Sequence, residues 1–266
     1  MENLNFTFIS GATGGLGSQF AISLATQGKN LFLTARSDEK LNILSDKLKE
    51  ISPNITVLKF ACDLTNSENR QEMFDFIREN DIKFDALINV AGADIQKTFL
   101  QYTEEKLTFQ TRVLFEGTIS ITRYLLSISP NGLKILTISS ICGTLPIPYF
   151  AIYSAQKSAL VTFFDALRYE LKKDKRFTVT TILPGSIPTR PDIIEDIKKQ
   201  GLTGKLSQKS PEYIVKKSLK ALDNRKKNYI PGFYNKVVNF FQKITPKFIK
   251  IKIIASKFSN KEKDAF

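Results

Sequence analysis

The chain has 266 residues, 42 % of them apolar, enough to bury a substantial core in one domain. It contains no histidine and only two cysteines, Cys62 and Cys142. This excludes Ser-His-Asp, Cys-His and histidine-ligated metal chemistry as well as a disulfide framework, and leaves Tyr, Lys, Ser and carboxylates as acid–base groups. The net charge of +13 is uneven: residues 1–200 hold 23 Lys and Arg against 22 Asp and Glu, whereas residues 201–266 hold 16 against 4.

The first residues, Met-Glu-Asn-Leu, show no basic segment followed by an apolar run, and no window is apolar over the length of a membrane span. The expectation is a soluble cytoplasmic chain. Short apolar or β-branched runs at 5–9, 30–34, 55–61, 86–89, 133–138 and 178–183 read as buried strands. Amphipathic stretches of helical length separate them, one carrying Leu41, Leu44, Leu48 and Ile51, the next Met73, Phe74 and Ile77. Sustained strand–helix alternation predicts an α/β fold with a doubly wound parallel sheet, whose ligands collect at the carboxyl ends of the strands.

The first strand runs into Ser10-Gly11-Ala12-Thr13-Gly14-Gly15-Leu16-Gly17, and a helical pattern follows at once. Glycines in that position let the backbone turn tightly against a pyrophosphate, whose charge then meets the amide-rich start of the helix. The second strand ends at Arg36. An arginine there suits the 2′-phosphate of NADP; Asp38, about 20 residues beyond the last glycine, keeps NAD as the alternative.

Farther on, Tyr153-x-x-x-Lys157 places a phenol and an ammonium one helical turn apart. A free phenol titrates near 10, so a fixed cation beside it is expected to bring it toward the working range of an acid–base catalyst. Ser140 upstream is a hydroxyl suited to orienting a substrate oxygen.

These segments together resemble the short-chain dehydrogenase/reductase family over about residues 4–230. The resemblance rests on Gly11-x-x-x-Gly15-x-Gly17, Cys62-Asp63-Leu64, Asn89-Val90-Ala91-Gly92, Ser140, Tyr153-x-x-x-Lys157 and Pro184-Gly185-x-Ile187-x-Thr189, all in the family's order. It implies a Rossmann-type unit over 1–230 that acts as an NADP-dependent carbonyl reductase or alcohol dehydrogenase. Ser140, Tyr153 and Lys157 would be catalytic, with the last two also on the cofactor. Ser10, Gly11, Gly15, Leu16, Gly17, Arg36, Asp63, Asn89, Ala91, Gly92, Pro184, Gly185, Ile187 and Thr189 would be the remaining cofactor residues. No metal is implied, and homo-oligomers are common in such a family.

One departure stands out. Aligning Val113-Leu114-Phe115-Glu116-Gly117 with the family's usual Val-Asn-Leu-x-Gly puts Leu114 where an asparagine commonly fixes a relay water behind the lysine. Gln110 or Thr111, one turn earlier, is the expected substitute. A protein that binds the dinucleotide without turnover is the alternative. The apolar loop 142–150 and the segment 191–209 are expected to set specificity, toward a lipophilic carbonyl or alcohol.

Residues 231–266 form a basic tail. Val237, Phe240, Phe241 and Ile244 recur at helical spacing, as do Phe248, Ile251, Ile254 and Phe258 after Pro246, among Lys236, Lys243, Lys247, Lys250 and Lys257. Such a basic amphipathic helix pair fits an anionic membrane surface at the inner face, or docking on the enzyme's own core or a second subunit. The absence of base-reading motifs argues against nucleic acid.

Overall fold

A computed structural model describes residues 4–258. Seven parallel strands, β1 (Asn5–Ser10), β2 (Asn30–Ala35), β3 (Val57–Ala61), β4 (Lys83–Asn89), β5 (Lys134–Ile138), β6 (Thr178–Ile182) and β7 (Asn228–Tyr229), form one sheet in the order 3-2-1-4-5-6-7. The six expected strands are present with small shifts at their ends. The two-residue β7, paired with Thr181 and Ile182 at the sheet edge, is too short to leave a sequence pattern.

Helices cover both faces. They are α1 (Gly15–Ala25), α2 (Asp38–Ile51), α3 (Ser67–Glu79), α4 (Glu104–Thr111), α5 (Gly117–Ser127), α6 (Ala151–Leu171), α7 (Pro191–Lys199), α8 (Gly201–Ser207), α9 (Pro211–Asp223), α10 (Phe233–Ile244) and α11 (Lys247–Phe258). Several start on side-chain caps that satisfy orphan amides: Ser37 for α2, Asn66 for α3, Thr103 for α4 and Ser210 for α9. Leu41, Leu44 and Leu48 of α2 pack with α1 and α9 in one core layer, and Met73, Phe74, Ile121, Leu125, Leu160 and Phe164 of α3, α5 and α6 pack in the other. Both faces are covered, so β1 and β2 are buried at every position after the first, with Ile9, Leu31 and Leu33 in one layer and Phe6, Phe8 and Phe32 in the other.

The strand order reverses between β1 and its neighbours β2 and β4, and the loops leaving β1 and β4 part there to open a crevice. Those ends nonetheless approach closely. Gly11 has φ +66°, and a Cβ on it would lie 2.7 Å from the Ala91 Cα. Ser10 Oγ accepts hydrogen bonds from the backbone N–H groups of Val90 and Ala91, pinning β1 to β4 just beneath the crevice.

Candidate active site

A cavity of about 660 Å³ opens along the carboxyl ends of the strands. At one end lie the glycine turn, Arg36 and Asp63; at the other lie Ser140, Tyr153 and Lys157, with Ala91, Gly92, Pro184, Gly185, Ile187 and Thr189 between. A chain that must pass so near itself admits only glycine: a Cβ on Gly17 would sit 2.1 Å from the Gly11 carbonyl oxygen, and one on Gly15 2.9 Å from the Thr189 Cβ. The turn delivers the start of α1, with its unpaired amides, to the edge of the cavity.

Arg36 is exposed on the cavity wall, its guanidinium 5.4 Å from the ring centroid of Phe109. Asp38 lies off the wall in the first turn of α2, where it accepts a hydrogen bond from Asn42 and faces Lys59 at 3.8 Å. Asp63 on the wall receives both the N–H and the hydroxyl of Thr65 at 2.9 Å, which fixes its carboxylate. Two expected cofactor residues are not on the wall. Ser10 is spent on the β1–β4 junction, and Asn89 donates to Thr122 and Thr137, tying β4 to α5 and β5. Both act beneath the site because a short side chain at a strand end reaches its neighbouring strand before it reaches the crevice.

The adjacent serines both border the cavity and are both buried, but their partners differ. Ser139 donates to the Lys157 carbonyl at 2.8 Å, whereas Ser140 accepts from the Cys142 N–H and bonds with Tyr153. Lys157 is 4 % exposed, donates to the Ile138 carbonyl at 2.9 Å, and stands 5.6 Å from the centroid of the Tyr153 ring. Burial brings its amine down to about 8, against Asp94 and Cys142, which hold it up.

The phenol departs from the sequence expectation. Burial, with Cys142 and Asp94 adding to it, pushes Tyr153 well above its ordinary value, although Ser140 and Arg190 pull the other way. Desolvation outweighs both, so Tyr153 keeps its proton through neutral pH.

Behind Lys157 the site is lined by a leucine. Leu114, fully buried, lies in a π-helical segment Arg112–Glu116 that joins α4 to α5, with its Cδ2 3.3 Å from where a Cβ on Gly92 would be. Its carbonyl accepts the Thr118 hydroxyl. Neither expected substitute turns to the lysine: the Gln110 amide is engaged by the Ala93 carbonyl and the Tyr102 hydroxyl, and Thr111 accepts from Gln156.

The chain matches the family model for the short chain dehydrogenases over residues 5–198. It belongs to the short-chain dehydrogenase/reductase family. Among curated relatives, it is 31 % identical over 210 residues to the 11-beta-hydroxysteroid dehydrogenase-like 3 protein of Arabidopsis thaliana, covering 75 % of this chain and 67 % of that one. It is 34 % identical over 170 residues to a very-long-chain 3-oxoacyl-CoA reductase of Neurospora crassa, covering 62 % and 51 %. The chain thus spans about half to two thirds of the length of such relatives. Among solved structures, L-sorbose reductase from Gluconobacter frateurii, complexed with NADPH and L-sorbose, superposes with a TM-score of 0.76 at 25 % identity, covering 87 % of this chain and 97 % of that one. A 7beta-hydroxysteroid dehydrogenase at 20 % identity shares the fold, with a TM-score of 0.85 over 94 % of this chain and 96 % of that one.

Within the family frame, several wall residues escaped the sequence reading. Arg190 bridges Asp94 at 2.9 Å and Asp192 at 2.8 Å, closing the loop after β6 onto the loop after β4. Ile254 and Phe258 of the tail pack on a cluster of Leu145, Ile147 and Phe150 beside Tyr153. Phe150 stacks on Tyr153 at 4.2 Å between centroids, and Phe258 on Phe150 at 6.2 Å. The helical stripe of the tail was visible in the sequence, but which end of the molecule it would reach was not.

Proposed function

We propose that the chain is an NADPH-dependent reductase of lipophilic carbonyl compounds, the oxidation of the matching alcohol being its reverse. The observation that carries this reading is one continuous cavity with the glycine cradle and Arg36 at one end and Ser140, Tyr153 and Lys157 at the other. Gly11, Gly15, Leu16 and Gly17 would hold the pyrophosphate, Arg36 the 2′-phosphate, Asp63 the adenine side, and Ala91, Gly92, Pro184, Gly185, Ile187 and Thr189 the nicotinamide half. Arg36 on the wall and Asp38 turned onto α2 favour NADP over NAD.

When bound, the reduced nicotinamide supplies the hydride. The residues of the chain supply position and a proton. Ser140 donates a hydrogen bond to the substrate oxygen, and Tyr153, held protonated by its buried setting, gives its proton to that oxygen as charge develops there. The protonated form of Lys157 stabilises the tyrosinate left behind; with Leu114 at its back, the tyrosine is reprotonated from the cavity side. The substrate end of the cavity is lined by Leu145, Ile147, Phe150, Ile254 and Phe258, an apolar surface suited to a lipophilic chain or ring system. Such substrates partition into lipid, and the reading includes a place at the cytoplasmic face of a membrane.

Leu114 favours the competing reading, a dinucleotide-binding protein without turnover. A titration with NADPH and NADH, followed by loss of nicotinamide absorbance against medium- and long-chain ketones and aldehydes, separates the two. The reductase reading expects preferential NADPH binding and oxidation with some member of the panel, and a loss of at least about a hundredfold in Tyr153→Phe at near-normal NADPH affinity. Tight NADPH binding with no oxidation, or full activity in Tyr153→Phe, overturns it.

A further inference from the structure

The C-terminal helices carry apolar side chains on two opposite sides. Inward, Ile254 and Phe258 of α11 form part of the wall of the cavity, and the Phe258 carbonyl accepts from Gln96. Outward, Phe233, Phe240 and Ile244 of α10 align along one face at 81 %, 59 % and 62 % exposure, and Phe248 and Ile253 of α11 follow at 75 % and 53 %. Phe240, Phe241 and Ile244 of the first sequence stripe are therefore exposed, whereas Ile254 and Phe258 of the second pack inward. Neighbouring α8, joined to α10 through Asn235 and the Ser207 carbonyl, adds Leu202 at 72 %.

Lys236, Lys243, Lys247 and Lys252 are exposed on the same helices. Between Asp223 and Glu262 the sequence has ten Lys and Arg and no carboxylate. An apolar face of this extent is not the scattered exposure normal to a protein surface.

We propose that the outer face of α10 and α11 docks on an anionic phospholipid bilayer, and that lipophilic substrate enters the cavity from the bilayer past α11. Charge decides the occupant. Phenylalanine and isoleucine enter the acyl boundary while the lysines meet lipid phosphates. A second copy, docking face to face by a two-fold axis, would bring together two α10–α11 pairs that carry lysines and no carboxylate. The substrate half of the inference rests on the reductase reading; the docking half does not. A single helix separates the cavity from the bilayer, because α11 presents Ile254 and Phe258 to one and Phe248 and Ile253 to the other.

The chain has no tryptophan, so Phe248→Trp installs a sole indole on the docking face. With the full-length protein, vesicles of phosphatidylcholine containing a third phosphatidylserine should shift its emission to the blue and allow quenching by brominated acyl chains. Binding should be at least about tenfold tighter than to pure phosphatidylcholine, and weaker in high salt. Unchanged emission, or the same shift produced by raising protein concentration without vesicles, overturns the docking surface. A Phe240→Ser, Phe248→Ser double variant should lose vesicle binding and reduce a vesicle-dissolved long-chain ketone about tenfold more slowly, with the rate on a small water-soluble ketone unchanged. Equal rates on the vesicle-dissolved ketone overturn entry past α11. No turnover of either ketone by any form refutes the reductase reading, and with it entry past α11; the emission and quenching results then judge the docking surface alone.

Discussion

Replacing Lys157 by methionine tests the electrostatic balance at the floor of the site. The lysine is 4 % exposed, and burial lowers its amine from 10.5 to about 8. Because the folded value is the lower one, the unfolded chain holds the proton more tightly between these limits, and stability rises with pH across that window. Burying the ammonium therefore costs about 3 kcal/mol near pH 7 and less than about 1 kcal/mol near pH 10. Methionine carries no charge and has a similar shape. It also forfeits the 2.9 Å hydrogen bond to the Ile138 carbonyl, a loss of about 1–3 kcal/mol that does not vary with pH. The informative quantity is the difference in urea stability between Lys157→Met and the parent chain, without nucleotide. It should move by about 2 kcal/mol in favour of the variant between about pH 10 and pH 7. Turnover should be lost at the same time. Parallel pH profiles for the two proteins would refute the argument, since they would mean that the amine titrates alike in the folded and unfolded chains.

Four further substitutions probe the site. Arg36→Ala should weaken NADPH binding by about 10- to 100-fold, the worth of a charge-assisted contact, and leave NADH binding unchanged in a fluorescence titration. Gly17→Ala drives a Cβ to within 2.1 Å of the Gly11 carbonyl, so nucleotide binding should disappear and urea stability fall by at least about 2 kcal/mol. Ser140→Ala should slow reduction by at least about tenfold with little change in stability. Its neighbour should behave in the opposite way: Ser139→Ala removes the bond to the Lys157 carbonyl and should cost about 1 kcal/mol in denaturation while sparing most of the rate.

The amino-acid sequence by itself determined the strand–helix alternation, the glycine turn and the Tyr-x-x-x-Lys pairing. These are local: each depends on the side-chain period of a strand or helix, or on a turn only glycine can make, and so leaves its mark within a few residues. The placement of Arg36, Asp63 and Ser140 on the cavity wall follows from the same logic, since ends of parallel strands share one edge of the sheet. Only the tertiary structure decided the rest. Ser10 and Asn89 sit in the motifs yet bond beneath the crevice, Ser10 to the loop after β4 and Asn89 to β5 and α5, an outcome set by distances across the sheet and its covering helix. The rise in the Tyr153 pKa reflects desolvation by loops far apart in sequence, which the four-residue spacing to Lys157 cannot report. The Asp94–Arg190 pair joins two such loops. The tail's helical period was legible, but a helix with apolar groups on more than one side can bury only one of them against its own chain. Which side turned inward was settled by the apolar end of the cavity, where Leu145, Ile147 and Phe150 offered Ile254 and Phe258 a surface to cover.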